Sequence, residues 1–179
     1  MSTHTDQRRY PIGRFHYDGP LSAAARSEKR RAIQAFPARL RAVVQRLSEE
    51  QLDRPYREGG WTARQVIHHV ADSHLNAYIR FKLALTEEIP RIKGYDEQAW
   101  AELPDTFQTP VSVSLDLLEA LHARWALLLE AMSSGDYERN LFHPEKDRNI
   151  SLDEMLALYA WHGEHHLRHV ELAGKKTKP

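Results

Sequence analysis

Three times this chain places a hydroxyl residue three positions ahead of a Gln or Glu, and a helix-forming stretch follows each time. The pairs are Ser48 with Gln51, Thr62 with Gln65, and Ser151 with Glu154. Each reads as a capping box, in which the hydroxyl accepts from an orphan N–H of the first turn and the longer side chain reaches back to the cap. Trp61 with Val66, and Ile150 with Met155, stand at the positions of a hydrophobic staple. From Thr62 the spacing predicts a helix to about Glu88, with Val66, Val70, Ser73, Ala77, Phe81 and Ala84 along one stripe. From Ser151 it predicts a helix to about Gly174, which reads as a C′ glycine. Residues 22–47 and 112–132 carry two more helical patterns, and Pro37 predicts a kink or break in the first.

The links are long. Residues 89–110, with Pro90, Pro104 and Pro110, read as a crossover holding a short helix in YDEQAWAEL. Residues 133–150 read as an irregular connection. Residues 1–20 form an extended arm over the domain, and KKTKP a frayed tail. With no strand pattern, repeat or second domain, the 179 residues are expected to form one all-α domain, a four-helix bundle.

Composition narrows the function. Lys plus Arg and Asp plus Glu both number 25, so charge gives no reason to expect nucleic acid or anionic lipid as partner. No run of about 18 apolar residues predicts a membrane span, and the N-terminal stretch lacks the apolar core of a secretory signal. The expected location is the cytoplasm. The chain has no Cys, which excludes disulfides and thiolate metal sites.

Histidine is the unusual residue: there are 11, and seven of them cluster as His68, His69 and His74, then His162, His165, His166 and His169. His162 and His166 lie one helical turn apart and point about 40° from each other. They share a stripe with Leu152, Met155, Tyr159 and Val170, while His69 shares the stripe of Val66 and Ser73. All three can therefore face the bundle interior. Three neutral imidazoles suit zinc, nickel or a related borderline ion and leave a coordination position open. Spacing alone leaves the alternative of hydrogen-bonded core histidines equally open. The metalloprotease motif H-E-x-x-H is absent. Glu164 stands about 200° round the helix from both His162 and His166 and should face away.

Other residues have two readings each. Asp72, three after His69, can accept that ring's second N–H or can be a solvated carboxylate. His169 can back His166 or pack in the core, and Tyr159 can lend a hydroxyl to the site or pack. His68 and His165 flank. His74 and His122 can face the bundle, with nothing to distinguish them, and His4, His16 and His143 fall in arm or loop. Trp61, Trp100, Trp125 and Trp161 read as core or dimer contacts.

The stretch Trp61-Thr62-Ala63-Arg64-Gln65-Val66-Ile67-His68-His69-Val70-Ala71-Asp72 resembles the first metal motif of the DinB/YfiT-like superfamily, and Trp161-His162-Gly163-Glu164-His165-His166 resembles its second. The likeness to the YfiT group also takes in RYPIGRFHYDGP, YDEQAWAELPD, LFHPE and LALYAWHGEHH, so it covers most of the chain. This resemblance implies a cytoplasmic homodimer with a four-helix bundle and one divalent metal per subunit, held by His69, His162 and His166. It implies zinc before nickel or manganese, and a metal-dependent hydrolase acting on a small molecule. A related branch is similar to S-transferases that use bacillithiol, a low-molecular-weight thiol. The chain lacks Cys, so a thiol cosubstrate would be external. A third reading is a bundle that binds metal or ligand without turnover.

Overall fold

The computed structural model describes residues 7–175, so the arm's first six residues, His4 among them, and the last four of the expected frayed tail lie outside it. Four long helices form the domain: α1 (Ala23–Val44), α2 (Ala63–Thr86), α3 (Val111–Ala131) and α4 (Leu152–Gly174). The starts of α1, α2 and α4 follow side-chain caps, whereas α3 opens after Pro110 without one. Ser22 accepts from the Ala25 N–H, Ser151 from that of Glu154, and both reciprocal bonds form between Thr62 and Gln65. The Ser48–Gln51 box is also complete and opens the short helix Glu49–Leu52. The box at α4 closes on one side only, because the Glu154 carboxylate turns to the Arg148 guanidinium at 2.5 and 2.8 Å.

Helices α1 and α2 each pack on both α3 and α4, so α1 faces α2, and α3 faces α4, across the diagonals. The links after α1 and α3 are long enough to make those diagonal crossings. Between α2 and α3, Glu97–Trp100 is helical as expected, and Pro104–Gln108 adds a second short helix. The crossover is tied down where Ile92 N–H donates to the Phe142 carbonyl at 3.1 Å and Phe142 N–H to that of Pro90 at 3.0 Å.

Three sequence expectations are corrected. Pro37 does not break α1, which runs through it for 22 residues. Residues 133–150 contain an antiparallel hairpin, Asn140–His143 paired with Arg148–Ser151. Its strands turn only Leu141 and Ile150 fully inward, too few to show alternation, and its turn is closed by Asp147 at φ +48° rather than by Gly. Gly174 is the last residue of α4 and not a left-handed cap. A Cβ there would come within 2.6 Å of Leu47, so close approach explains the glycine, and Gln51 caps its carbonyl at 2.7 Å.

The arm lies over α4. Asp153, 3% exposed, accepts from the Tyr17 hydroxyl, the Leu21 N–H and the Arg26 guanidinium at 2.9, 2.7 and 2.5 Å. Residues 7–9 are helical, and most of the arm beyond them lacks regular structure. The core falls into two apolar clusters. One gathers Phe81, Trp125, Leu129, Leu141, Ile150 and Leu156 near the hairpin. The other gathers Phe36, Leu40, Val66, Val70, Leu118 and Val170 at the opposite end. His74 on α2 and His162, His165 and His166 on α4 fall between the stretches assigned to the two clusters, and His69 and His122 stand beside their inner ends.

Candidate metal centre

Diagonal packing makes α2 and α4 neighbours, and this brings His69 against His162 and His166. One ring nitrogen from each of the three lies within 4.8 Å of the others. Ring centroids are 4.4 Å apart for His162–His166, 4.9 Å for His69–His166 and 5.5 Å for His69–His162. Two nitrogens of a tetrahedral zinc site lie roughly 3.3 Å apart, so closing on an ion asks for side-chain adjustments on the order of 1 Å.

The chemistry of the donor set fits a divalent ion. Burial pushes His69 down to about 4. It also pushes His162 and His166 well below the usual imidazole range, with neighbouring imidazoles adding to the effect. The three rings are therefore neutral at pH 7, the form that ligates metal. No fourth His, Asp or Glu joins the group among the described residues. His162 and His166 are half-buried rather than sealed. Three candidate ligands match the donor count of an open site rather than of a closed four-ligand one.

Two histidines that the sequence left undistinguished stand directly behind this group. His74 on α2 is fully buried. Its Nδ1 lies 2.8 Å from His122 Nε2, and its Nε2 lies 3.2 Å from His162 Nδ1. His122 on α3 reaches the Ile33 carbonyl through Nδ1 at 2.7 Å. The proline rule explains that contact. Residue 37 has no N–H to donate to the carbonyl four residues back, so Ile33 is left with a free acceptor inside the bundle. Pro37 was the one available sequence signal; the identity of its donor depends on tertiary packing.

His169 sits 3.3 Å from His166, Nδ1 to Nδ1, and its Nε2 reaches the Arg9 carbonyl of the arm at 3.3 Å. Its ring stacks on Tyr56 at 3.9 Å. Tyr159 packs among Trp125, His74 and His162, its hydroxyl held protonated by burial and lying beside Ser73 and Arg80. Asp72 makes no side-chain hydrogen bond to His69 among the described residues. Burial, with Asp105 adding, pushes its carboxyl up to about 6. His69 is instead covered by the Trp61 ring at 4.8 Å.

The remaining expectations divide simply. Glu164 faces away from the group and pairs with Arg39 and Arg168 at 2.7 and 2.8 Å. His68 bonds Ser114 at 2.8 Å, and His165 stacks on Trp161 at 4.4 Å, so both serve packing. Trp125 is core, Trp161 lies against Phe15 of the arm, and Trp100 is exposed. A cavity of about 480 Å³ beneath the arm borders Tyr159, Trp161 and Gly163, but not the three converging histidines. No helix among the described residues is long and apolar enough to cross a membrane.

Comparison with known proteins gives a consistent set of likenesses. Residues 32–170 match the model of the DinB superfamily. A protein of Oceanobacillus iheyensis named "putative metal-dependent hydrolase" is 52% identical over 162 residues, covering 90% of this chain and 93% of its own. A Bacillus subtilis protein, "putative metal-dependent hydrolase YfiT", is 45% identical over 161 residues, covering 90% of both chains. A solved structure described as YfiT from Bacillus subtilis, "a probable metal-dependent hydrolase with an unusual four-helix bundle topology", superposes with a TM-score of 0.90 at 45% identity. That superposition covers 93% of this chain and 95% of the other.

Proposed function

The chain belongs to the DinB superfamily, and from that premise we propose that it is a metal-dependent hydrolase of a small molecule, with one divalent ion held by His69, His162 and His166. The observation that carries this reading is the convergence of three neutral imidazoles, with no fourth His, Asp or Glu among the described residues, in the middle of the bundle. Zinc is the first candidate, before nickel or manganese. When bound, such an ion supplies Lewis acidity and a nucleophilic water near neutral pH.

The chain's own residues supply position and proton control. His162 and His166, one turn apart on α4, would hold the ion together with His69 on α2. The Tyr159 phenol, held protonated by burial, is a donor next to His162 that can steady negative charge as it develops on a substrate oxygen. Asp72, three residues past His69 on α2 and with its carboxyl raised to about 6 by burial, can exchange a proton near neutral pH.

The test is metal content after purification without added metal, followed by turnover of a panel of esters and amides. About one ion per chain is expected. It should be lost in His69→Ala, His162→Ala and His166→Ala while helicity persists, and turnover should require the ion. Absence of metal in the native chain, together with no uptake on titration, would sink the reading. Turnover that appears only with an added thiol, as conjugation, would move the assignment to S-transfer. Sedimentation of the metal-loaded chain checks the expected homodimer.

A further inference from the structure

The hydrogen-bond partners behind the two α4 ligands impose an order on their protons. A backbone carbonyl only accepts, so the 2.7 Å contact between the Ile33 carbonyl and His122 places a proton on His122 Nδ1. A neutral imidazole carries one N–H, which leaves His122 Nε2 as an acceptor. Its partner at 2.8 Å, His74 Nδ1, must then donate. His74 Nε2 in turn accepts, and the group facing it at 3.2 Å is His162 Nδ1. His162 is thus protonated at Nδ1 and keeps its lone pair at Nε2.

The same logic runs independently on the other ligand. The Arg9 carbonyl accepts from His169 Nε2 at 3.3 Å, so His169 Nδ1 is the acceptor for His166 Nδ1 at 3.3 Å. His166 likewise keeps its lone pair at Nε2. Both chains run from a backbone carbonyl through neutral imidazoles to a ligand. One starts at a carbonyl that Pro37 leaves free inside α1, the other at a carbonyl of the N-terminal arm. His69 has no such chain behind it among the described residues.

We infer that His122 with His74, and His169, are positioning residues that hold the proton of His162 and of His166 on Nδ1, so that both imidazoles offer Nε2 to the ion. The inference rests on the metal reading above, because the order matters through what it presents to a ligated cation. Reversing either chain would place a proton on the ligating nitrogen. Each chain also fixes ring orientation, because His122, His74 and His169 are bonded through both ring nitrogens and His162 and His166 through Nδ1. The arm acquires a role as well, since its Arg9 carbonyl sets the proton order at His166.

The test uses the full-length chain labelled with ¹⁵N-histidine. Long-range ¹H–¹⁵N spectra of the metal-free protein should show Nδ1 protonated and Nε2 bare for His162 and His166, and zinc should move the Nε2 resonances. This spectrum needs no variant, so a substitution that fails to fold leaves the test standing. In parallel, His122→Leu and His169→Leu should weaken zinc binding roughly 10–100-fold. His122→Gln and His169→Gln keep one donor and one acceptor and should recover most of that loss. A proton on Nε2 of either ligand, zinc bound through Nδ1, or equal losses for the Leu and Gln variants would each overturn the inference while leaving the metal reading intact. A wild-type chain that takes up no zinc overturns the metal reading and this inference together.

Discussion

The apolar ends of the bundle and the histidine band between them are about equally buried, yet they are held by different physics. At the hairpin end, Phe81, Trp125 and Leu129 are 0% exposed and are stabilised by area removed from water and by close packing. Those forces have little direction, so shape and volume decide. In the band, His74 and His122 are 0% and 1% exposed, and each is retained by hydrogen bonds at defined atoms. Direction decides there, and an unpaired nitrogen or carbonyl carries a desolvation cost. The ends make the bundle stable. The band converts part of that stability into a set of neutral, oriented lone pairs.

Acid should separate the two regions most strongly. Burial pushes His69 and His122 down to about 4, with the carbonyl of Ile33 partly opposing the shift at His122. The unfolded chain takes up these protons near 6.5 and the native chain does not, so the unfolded state binds more protons between those values. Stability is therefore full above about pH 6.5 and falls as pH drops toward 4, by about 3 kcal/mol for each such group. Two such groups together approach the whole stability of a marginal domain. Denaturant midpoints of the metal-free chain at pH 7, 6 and 5 check this, and a flat profile would erase the distinction between the regions. Next in size is Phe81→Ala, at about 3–5 kcal/mol from lost burial and the cavity left behind. Zinc uptake per folded chain should be unchanged; reduced uptake would mean that the ends and the band are not separable.

The contrast also explains what could be read before the structure. Caps and stripes act locally, so Thr62 with Gln65, and the inward run from Val66 to Ala84, set α2 within two residues at each end. The periodicity of α2 and α4 likewise turned His69, His162 and His166 inward, because a side chain on an apolar stripe has a single direction available. The roles of His74 and His122 were not legible, because each depends on a partner from another helix, and that partner is set by the diagonal arrangement. Pro37 was read as a kink or a break. In the folded chain the carbonyl it orphans is satisfied from α3, so the helix persists. The hairpin escaped notice because Leu141 and Ile150 alone carry its inward pattern.

A paired substitution sharpens the comparison at smaller cost. Leu118→Met, volume-conserving in the apolar end, should cost less than about 1.5 kcal/mol. His122→Leu leaves the Ile33 carbonyl and His74 Nδ1 without their partner and should cost about 1–3 kcal/mol although it makes the core more apolar. Equal or reversed costs, read from thermal or denaturant unfolding of metal-free protein, would show that direction matters no more in the band than in the ends.

The smallest expected effect comes from Thr62→Ala, which removes the hydroxyl that accepts from the Gln65 N–H at 3.2 Å. About 1 kcal/mol of stability should be lost, with zinc affinity unchanged. The cap acts at the start of α2, two turns before His69, and the position of His69 is fixed by packing against Trp61 and α4 rather than by the helix end. A fall in zinc affinity matching that of His122→Leu would mean that His69, which has no hydrogen-bonded chain behind it among the described residues, is oriented by its helix start. The asymmetry between the α2 and α4 sides of the histidine group would then lie in the backbone of α2 rather than in the histidines behind α4.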